Sequence, residues 1–395
     1  MKFRKKKSMI DHARLSKELD WFEKYRFLVI EDATEGKENE DGSLSGGRAF
    51  VTPEADFYLR FKAHGRTLQK INTLDPRQPA AVYAESQGLR GRIIEKVEYS
   101  DKCVAELVRD LTVPFVDAKV YFRSHAFHPY EDNYQKVISK FDVYSLKDAL
   151  DFGNASQKQG AVKALNLLVA ELKAEMSSET VRKLLRNFRR TSQKSLKQLL
   201  SLLEKLFSRH ARLLSVRVDF AYGAGRLDGT EISTSLSIEE AAQHREAMID
   251  HIRKTYPNGL VGYAWAMESA CLKGLHFHFW LLFNGSEHRG DMGIAKSLGE
   301  HWVNVVTEGT GTYFNCNANK GAYPTDAMGI GMLHRDSQEN MDGVRLIAAY
   351  LTKIDFYLRF DVAGFRTFGK SQVRTSSRRL KKPSEGPQGA HHGHQ

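Results

Sequence analysis

Glu268-Ser269-Ala270-Cys271-Leu272-Lys273-Gly274-Leu275-His276-Phe277-His278 reads as the turn and inner flanks of a β-hairpin. One residue separates His276 from His278, so on a strand, where side chains alternate, the two imidazoles share a face; on a helix they would diverge. Folding the chain about Leu272 sets Glu268 opposite His276 and Ala266 opposite His278, which brings Glu268, His276 and His278 together on that face. The other face of the second strand carries Phe277, Phe279, Leu281 and Phe283, an apolar row that burial against helices would hold still. Two imidazoles and a carboxylate suit Mn²⁺, Mg²⁺, Co²⁺ or Zn²⁺, and ligand type alone leaves the ion open. The alternative is a pair of histidines that simply line a sheet.

Outward from the hairpin, the pattern extends into a small α+β unit. Leu214, Val216, Val218 and Phe220 alternate with Ser215, Arg217 and Asp219, as in a half-buried strand over 213–220. Gly223, Gly225 and Gly229 follow as a loop. Ser237 caps a helix whose first turn is acidic, at Glu239 and Glu240, and which ends before Pro257-Asn258-Gly259. Strands over 260–269 and 275–283 form the hairpin. A helix over 292–307, a strand over 330–334 and a final helix over 342–359 complete the order. This succession predicts an antiparallel sheet with helices on one face, ferredoxin-like in outline.

The N-terminal half reads differently. Residues 11–30 look helical, 32–47 read as a mobile loop, and the signals over 54–150 are short and mixed. Apolar residues at helical spacing, among them Leu184, Leu185, Phe188, Leu196, Leu199, Leu203 and Leu206, then predict helices over 161–176 and 179–210. His125 and His128 have no acid at a defined spacing, which favours loop structure over metal ligation. At 395 residues the chain exceeds one ordinary domain. The expected division is a mostly helical region over 1–205, a second domain over 206–370 and a basic tail over 371–395.

Charge and cysteine content narrow the function classes. The formal charge of +11 points to a polyanionic partner. Much of the excess is local: Arg182, Lys183, Arg186, Arg189 and Arg190 open a basic run in the second long helix, and Arg374, Arg378, Arg379, Lys381 and Lys382 crowd the tail. The bland reading is a solvated helix face and a disordered end; the other is phosphate contact. Cys103, Cys271 and Cys316 are odd in number and scattered, which argues against a disulfide framework and fits a reducing cytoplasm. No run of about 18 apolar residues occurs, so no membrane span is expected. Residues 1–7 are basic with no apolar segment after them, so no secretory signal is expected.

The final helix adds a second constellation. Tyr350, Lys353 and Tyr357 fall at i, i+3 and i+7 and form one stripe, next to an apolar stripe of Ile347, Leu351, Ile354 and Leu358. Such a helix packs on the sheet with its Tyr and Lys edge toward the histidines. Taken alone, the pattern also describes an amphipathic tyrosine beside a snorkelling lysine.

On these residues, namely the strand Leu214-Ser215-Val216-Arg217-Val218-Asp219, the His276-Phe277-His278 motif, Tyr350-Leu351-Thr352-Lys353 and Phe365-Arg366-Thr367-Phe368-Gly369-Lys370, the segment 213–370 resembles the HUH endonucleases. It looks most like the inovirus-type replication initiators of filamentous phages and their prophage relatives of the YagK/YfjJ group. The resemblance implies a nickase acting on single-stranded DNA or an extruded origin hairpin, with Mg²⁺ or Mn²⁺ held by His276, His278 and Glu268. Tyr350 would be the nucleophile that forms a 5′-phosphotyrosine and frees a 3′-hydroxyl for rolling-circle synthesis, and Lys353 the cation beside it. Two-tyrosine relatives place their pair about one helical turn apart. Tyr357 lies nearly two turns from Tyr350, about 10 Å of rise, which favours a structural or base-stacking role over a second attack. Asp219 would support the ligands from outside, and Arg217 would contact phosphate; the alternative for both is an ordinary cross-strand ion pair. No Gly-X-X-X-X-Gly-Lys loop occurs, so unwinding would need a host helicase and synthesis a host polymerase. The same chemistry would serve a relaxase or a transposase. A noncatalytic DNA-binding repressor of a prophage or plasmid is the alternative class.

Overall fold

The structure is a computed structural model. It describes residues 28–31, 37–38, 44–45, 48–51, 53–87, 93–113, 122, 124–222, 236–270, 274–320, 329–352 and 358–372, with backbone alone for residues 28–57 of that set and for residue 270. In the N-terminal region, strand β1 (Leu28–Glu31) pairs with β4 (Arg48–Val51), and β2 (Lys37–Glu38) with β3 (Leu44–Ser45). The helix expected over 11–30 therefore gives way to a strand at its end, where Leu28-Val29-Ile30 favours extended backbone, and residues 11–27 lie outside the described set. The loop expected over 32–47 contains β2 and β3.

Helix α1 (Pro53–Ile71), the hairpin of β5 (Ala81–Gln87) and β6 (Ile93–Tyr99), and α2 (Lys102–Asp110) come next. Strand β7 (His125–Phe127) precedes α3 (Pro129–Ile138), α4 (Val143–Phe152), α5 (Ala155–Met176) and α6 (Glu179–Arg209). Local chemistry sets these ends. Asn154 and Gln157 form a reciprocal capping box at the start of α5, and Ser178 caps α6 through the Val181 N–H. One core gathers Leu68, Cys103, Leu107, Leu165, Leu168, Leu172 and Val181.

Helix α6 belongs to two cores. Val181 sits in the N-terminal core, whereas Leu196, Leu199, Leu203 and Leu206 sit in the core of the sheet. The boundary expected at residue 205 thus falls within a helix shared by both halves, because apolar spacing continues through 179–209 with no Gly or Pro to break it.

The sheet follows from β8 (Arg212–Tyr222), α7 (Ile238–Thr255), β9 (Leu260–Ala270), β10 (Gly274–Asn284), α8 (Asp291–His301) with a π-helical turn at Trp302–Val306, β11 (Gly311–Asn315), β12 (Gly331–His334), α9 (Gln338–Thr352), β13 (Leu358–Phe360) and β14 (Phe368–Lys370). Its order is β11-β8-β10-β9-β14, with β12 also on β8, and every pairing is antiparallel. The hairpin register is the one expected: Glu268 faces His276 and Ala266 faces His278. Ser237 caps α7 through the Glu240 N–H, also as expected. The loop glycines Gly223, Gly225 and Gly229 lie outside the described residues.

Helices cover both faces of the sheet, not one. Phe277, Phe279, Leu281 and Phe283 pack with Val216, Val218 and Phe220 against α7 and α8. On the opposite face, Leu213, Ala264, Ala266, Trp280 and Leu282 pack against α6 and α9. Burying each of the large side chains is worth roughly 1.5–3 kcal/mol, so a second covered face is energetically substantial. The sequence reading missed it because the apolar residues of that second face occupy only one end of β8, β9 and β10, and polar residues take the other.

Two further departures shape the site. The final helix is described over Gln338–Thr352, and residues 358–360, expected within it, form β13, which pairs with β7 of the N-terminal region. Strands β11 and β12 meet the same edge of β8 one after the other, leaving Val216 and Arg217 between them. Asn317 fills this interval: its Oδ1 accepts the Arg217 N–H at 2.7 Å and its Nδ2 donates to the Ser215 carbonyl at 2.9 Å. A side-chain amide there does the work of a missing strand. Gly369 of β14 lies against Trp265, where a Cβ would come within 2.5 Å of the indole, so this position takes no side chain without displacing the ring.

Candidate metal centre

The site occupies the polar end of the α6 and α9 face. Strand alternation puts Glu268 on β9, His276 and His278 on β10, and Arg217 and Asp219 on β8 on this one side. Glu268 and His276 are fully buried and His278 is 2% exposed. Glu268, His276 and His278 each offer a ligand atom, all within 4.8 Å of one another, and form the group of this kind found among the described residues. Nε2 of His276 is 3.8 Å from Oε2 of Glu268, and Nε2 of His278 is 3.2 Å from Oε1.

The outer nitrogens orient both rings. His276 Nδ1 lies 3.1 Å from the Gly274 carbonyl, which can only accept, so Nδ1 carries the proton and Nε2 presents a lone pair inward. His278 Nδ1 lies 2.8 Å from Asp219 Oδ1, so a carboxylate faces that nitrogen from outside the group. Arg217 Nη2 lies 3.5 Å from the same nitrogen, so a carboxylate and a guanidinium together position the ring. Two inward Nε2 atoms, a facing carboxylate and outer acceptors on both imidazoles match how proteins arrange ligands for a divalent cation. The chain can therefore hold a metal ion here.

Tyr350 of α9 descends onto this group. Its hydroxyl is 2.9 Å from His278 Nε2, and the side chain is 1% exposed. Arg217, expected to reach a phosphate, is instead buried: its guanidinium carbon lies 4.8 Å from the centre of the Tyr350 ring, and its Nε is 3.5 Å from Asp219 Oδ1. A cation over the ring face is attracted by the ring's π-electrons, which holds the two side chains together. Lys353 and Tyr357, expected on the same stripe as Tyr350, lie outside the described residues.

A cleft of about 280 Å³ opens beside the ligands, with Glu268 in its wall. Helix α6 contributes Thr191, Ser192 and Ser195; the segment after β13 contributes Phe365, Arg366 and Thr367. Arg182, Lys183, Arg186, Arg189 and Arg190 are exposed on α6, in the turns that run directly up to the cleft-lining Thr191. Arg182 and Arg186 both contact Glu179. His125, expected in a loop, lies in strand β7, and His128 caps α3 by accepting the Tyr130 N–H. The sequence reading missed Asn317 and the cleft. Alternation in Asn315-Cys316-Asn317 was a usable signal for an edge segment, whereas nothing local pairs residue 192 with residue 366.

No curated protein and no solved structure matches the chain. A family described as the YagK/YfjJ C-terminal domain matches residues 174–371, a span that takes in α6, the whole six-stranded sheet, both histidines and Tyr350. The chain belongs to the YagK/YfjJ C-terminal domain family.

Proposed function

We propose that this chain is a metal-dependent, site-specific endonuclease of the HUH type, resembling the inovirus-type initiators, which nicks and rejoins single-stranded DNA at an origin and so starts rolling-circle replication. The observation that carries the reading is the 2.9 Å approach of the Tyr350 hydroxyl to His278 Nε2, within the same buried group as Glu268 and His276. A nucleophile, two imidazoles and a carboxylate thus meet in one buried group, whose Glu268 also lines a cleft.

In this reading the Tyr350 oxygen forms a bond to the scissile phosphorus as the bond to the 3′-oxygen breaks. The phenol loses its proton and the departing 3′-oxygen gains one. A phosphotyrosine conserves the ester, so the 3′-hydroxyl can reverse the step and rejoin the strand. Mg²⁺ or Mn²⁺ bound by Glu268, His276 and His278 would polarise a nonbridging phosphate oxygen. Arg217, held over the ring, favours the charge that develops on the phenol oxygen, the task the resemblance gives to Lys353. The exposed basic face of α6 supplies phosphate contacts for a strand of the origin, single or extruded as a hairpin.

Incubation with single-stranded origin DNA and Mn²⁺, followed by a denaturing gel, tests the reading. A covalent adduct is expected that disappears in Tyr350→Phe and weakens in His276→Ala or with a chelator. Binding with no adduct on any origin fragment would favour a DNA-binding repressor instead.

A further inference from the structure

We propose that the cleft beside Glu268 seats one unstacked nucleotide next to the scissile phosphate, with Phe365 stacking on the base and Arg366 holding its phosphate. This rests on the proposed action on single-stranded DNA and names the residues that would select a single strand.

The cleft has two chemically different walls. Thr191, Ser192 and Ser195 line the α6 side with hydroxyls that suit sugar and phosphate oxygens. Phe365 and Phe368 line the other side, both half-buried, so each leaves ring surface open. Between them Arg366 is exposed. A half-open aromatic beside an exposed arginine is how proteins hold unpaired nucleotides, since every base has a face to stack and every link a charge to meet. A volume of about 280 Å³ is at the small end for ligand pockets and suits one residue of a strand, not a duplex.

Position ties the cleft to the reaction. Glu268 forms its inner wall and also belongs to the metal group. Negative charge on Glu268 repels a phosphate, so the anionic end of a nucleotide is drawn in where a cation offsets Glu268. The walls come from both halves of the chain. Thr191, Ser192 and Ser195 lie on α6, while the Phe365 segment follows β13, which is stitched to β7; Arg359 of β13 also donates to the Phe188 carbonyl of α6 at 2.9 Å. The cleft therefore depends on the N-terminal region being docked.

The test measures binding of a short fluorescein-labelled single strand to full-length Tyr350→Phe protein with Mn²⁺, which prevents covalent trapping. Adding Phe365→Ala is expected to weaken binding about tenfold with the salt dependence unchanged, and Phe365→Trp to restore it. Adding Arg366→Ala is expected to weaken binding and to reduce the slope of log affinity against log salt by about 0.7. Unchanged affinity in both Phe365→Ala and Arg366→Ala would overturn the proposal, as would an equal loss in Phe365→Ala on duplex of the same sequence. Failure of the nickase reading is seen separately: no adduct from the Tyr350 protein, together with Phe365-dependent binding, leaves the cleft a single-strand site without the chemistry.

Discussion

The Tyr350 hydroxyl stands 2.9 Å from Nε2 of His278, whose Nδ1 lies 2.8 Å from Asp219. One imidazole thus links a helix-borne phenol to a strand-borne carboxylate across the polar end of the sheet. The link makes Tyr350 separable from the fold. Tyr350→Phe keeps the ring under the Arg217 guanidinium and removes one hydrogen bond, so it is expected to cost about 1 kcal/mol in urea unfolding while abolishing the DNA adduct. An adduct that survives would move the nucleophile elsewhere.

Asp219 touches His278 on the side away from Glu268, so its effect passes through the ring. Asp219→Asn replaces a charged acceptor with a neutral one that can also turn a donor toward Nδ1. Mn²⁺ affinity, read by titration calorimetry, is expected to fall about 10- to 100-fold. Unchanged affinity would reduce Asp219 to an ion-pair partner of Arg217, two residues away on the same strand.

Acid should loosen the N-terminal region. Burial pushes His64 down to about 4 and His128 down to about 3, with the Arg189 charge adding to the effect at His128 and Asp110 opposing it at His64. His64 consequently faces Glu131, 3.9 Å away, as a neutral ring near pH 7. The unfolded chain takes up protons at both positions near pH 6.5 while the folded chain does not, so stability falls as pH drops from about 6.5 toward 4. The loss is about 1.4 kcal/mol per pH unit for each histidine, or about 2 kcal/mol each at pH 5. Urea unfolding at pH 7 and pH 5 measures it, and His64→Gln is expected to remove about half of the difference.

How far this fold was legible in the sequence depended on whether the signal was local. The His276-Phe277-His278 alternation, the Ser237 cap and the 268 to 276 register each depend on residues within about ten positions, and the structure places them as read. Tyr350 meeting His278 followed from the order of elements, since a helix with an apolar stripe packs on a sheet wherever a face is open. The second helical layer did not follow. Its strand residues are Ala264, Ala266, Trp280 and Leu282, interrupted by Glu268, His276 and His278, so the face reads as mixed although both halves are buried. The burial of Arg217 was hidden for a similar reason: an alternating arginine normally marks the solvent side, and only the Tyr350 ring and Asp219 make an interior position tolerable.

Asn317 offers the sharpest test of how the site is held. Its amide accepts from the Arg217 backbone and donates to the Ser215 carbonyl and to Asp291 Oδ2, and the side chain is 1% exposed. Asn317→Ala would leave two backbone groups of β8 without those partners in the interval between β11 and β12. Each buried group deprived of its hydrogen bond costs about 1–3 kcal/mol, so the variant is expected to lose about 3 kcal/mol or more in urea unfolding. Ser237→Ala, which removes an exposed helix cap, is expected to lose only about 1 kcal/mol and serves as the comparison. Arg217 shares its backbone with the β8 segment that Asn317 pins, so Asn317→Ala should also lower Mn²⁺ affinity through Asp219 and His278, whereas Ser237→Ala should not. Equal stability losses in the two variants, with metal affinity unchanged in both, would mean that β8 keeps its course without the side-chain bridge.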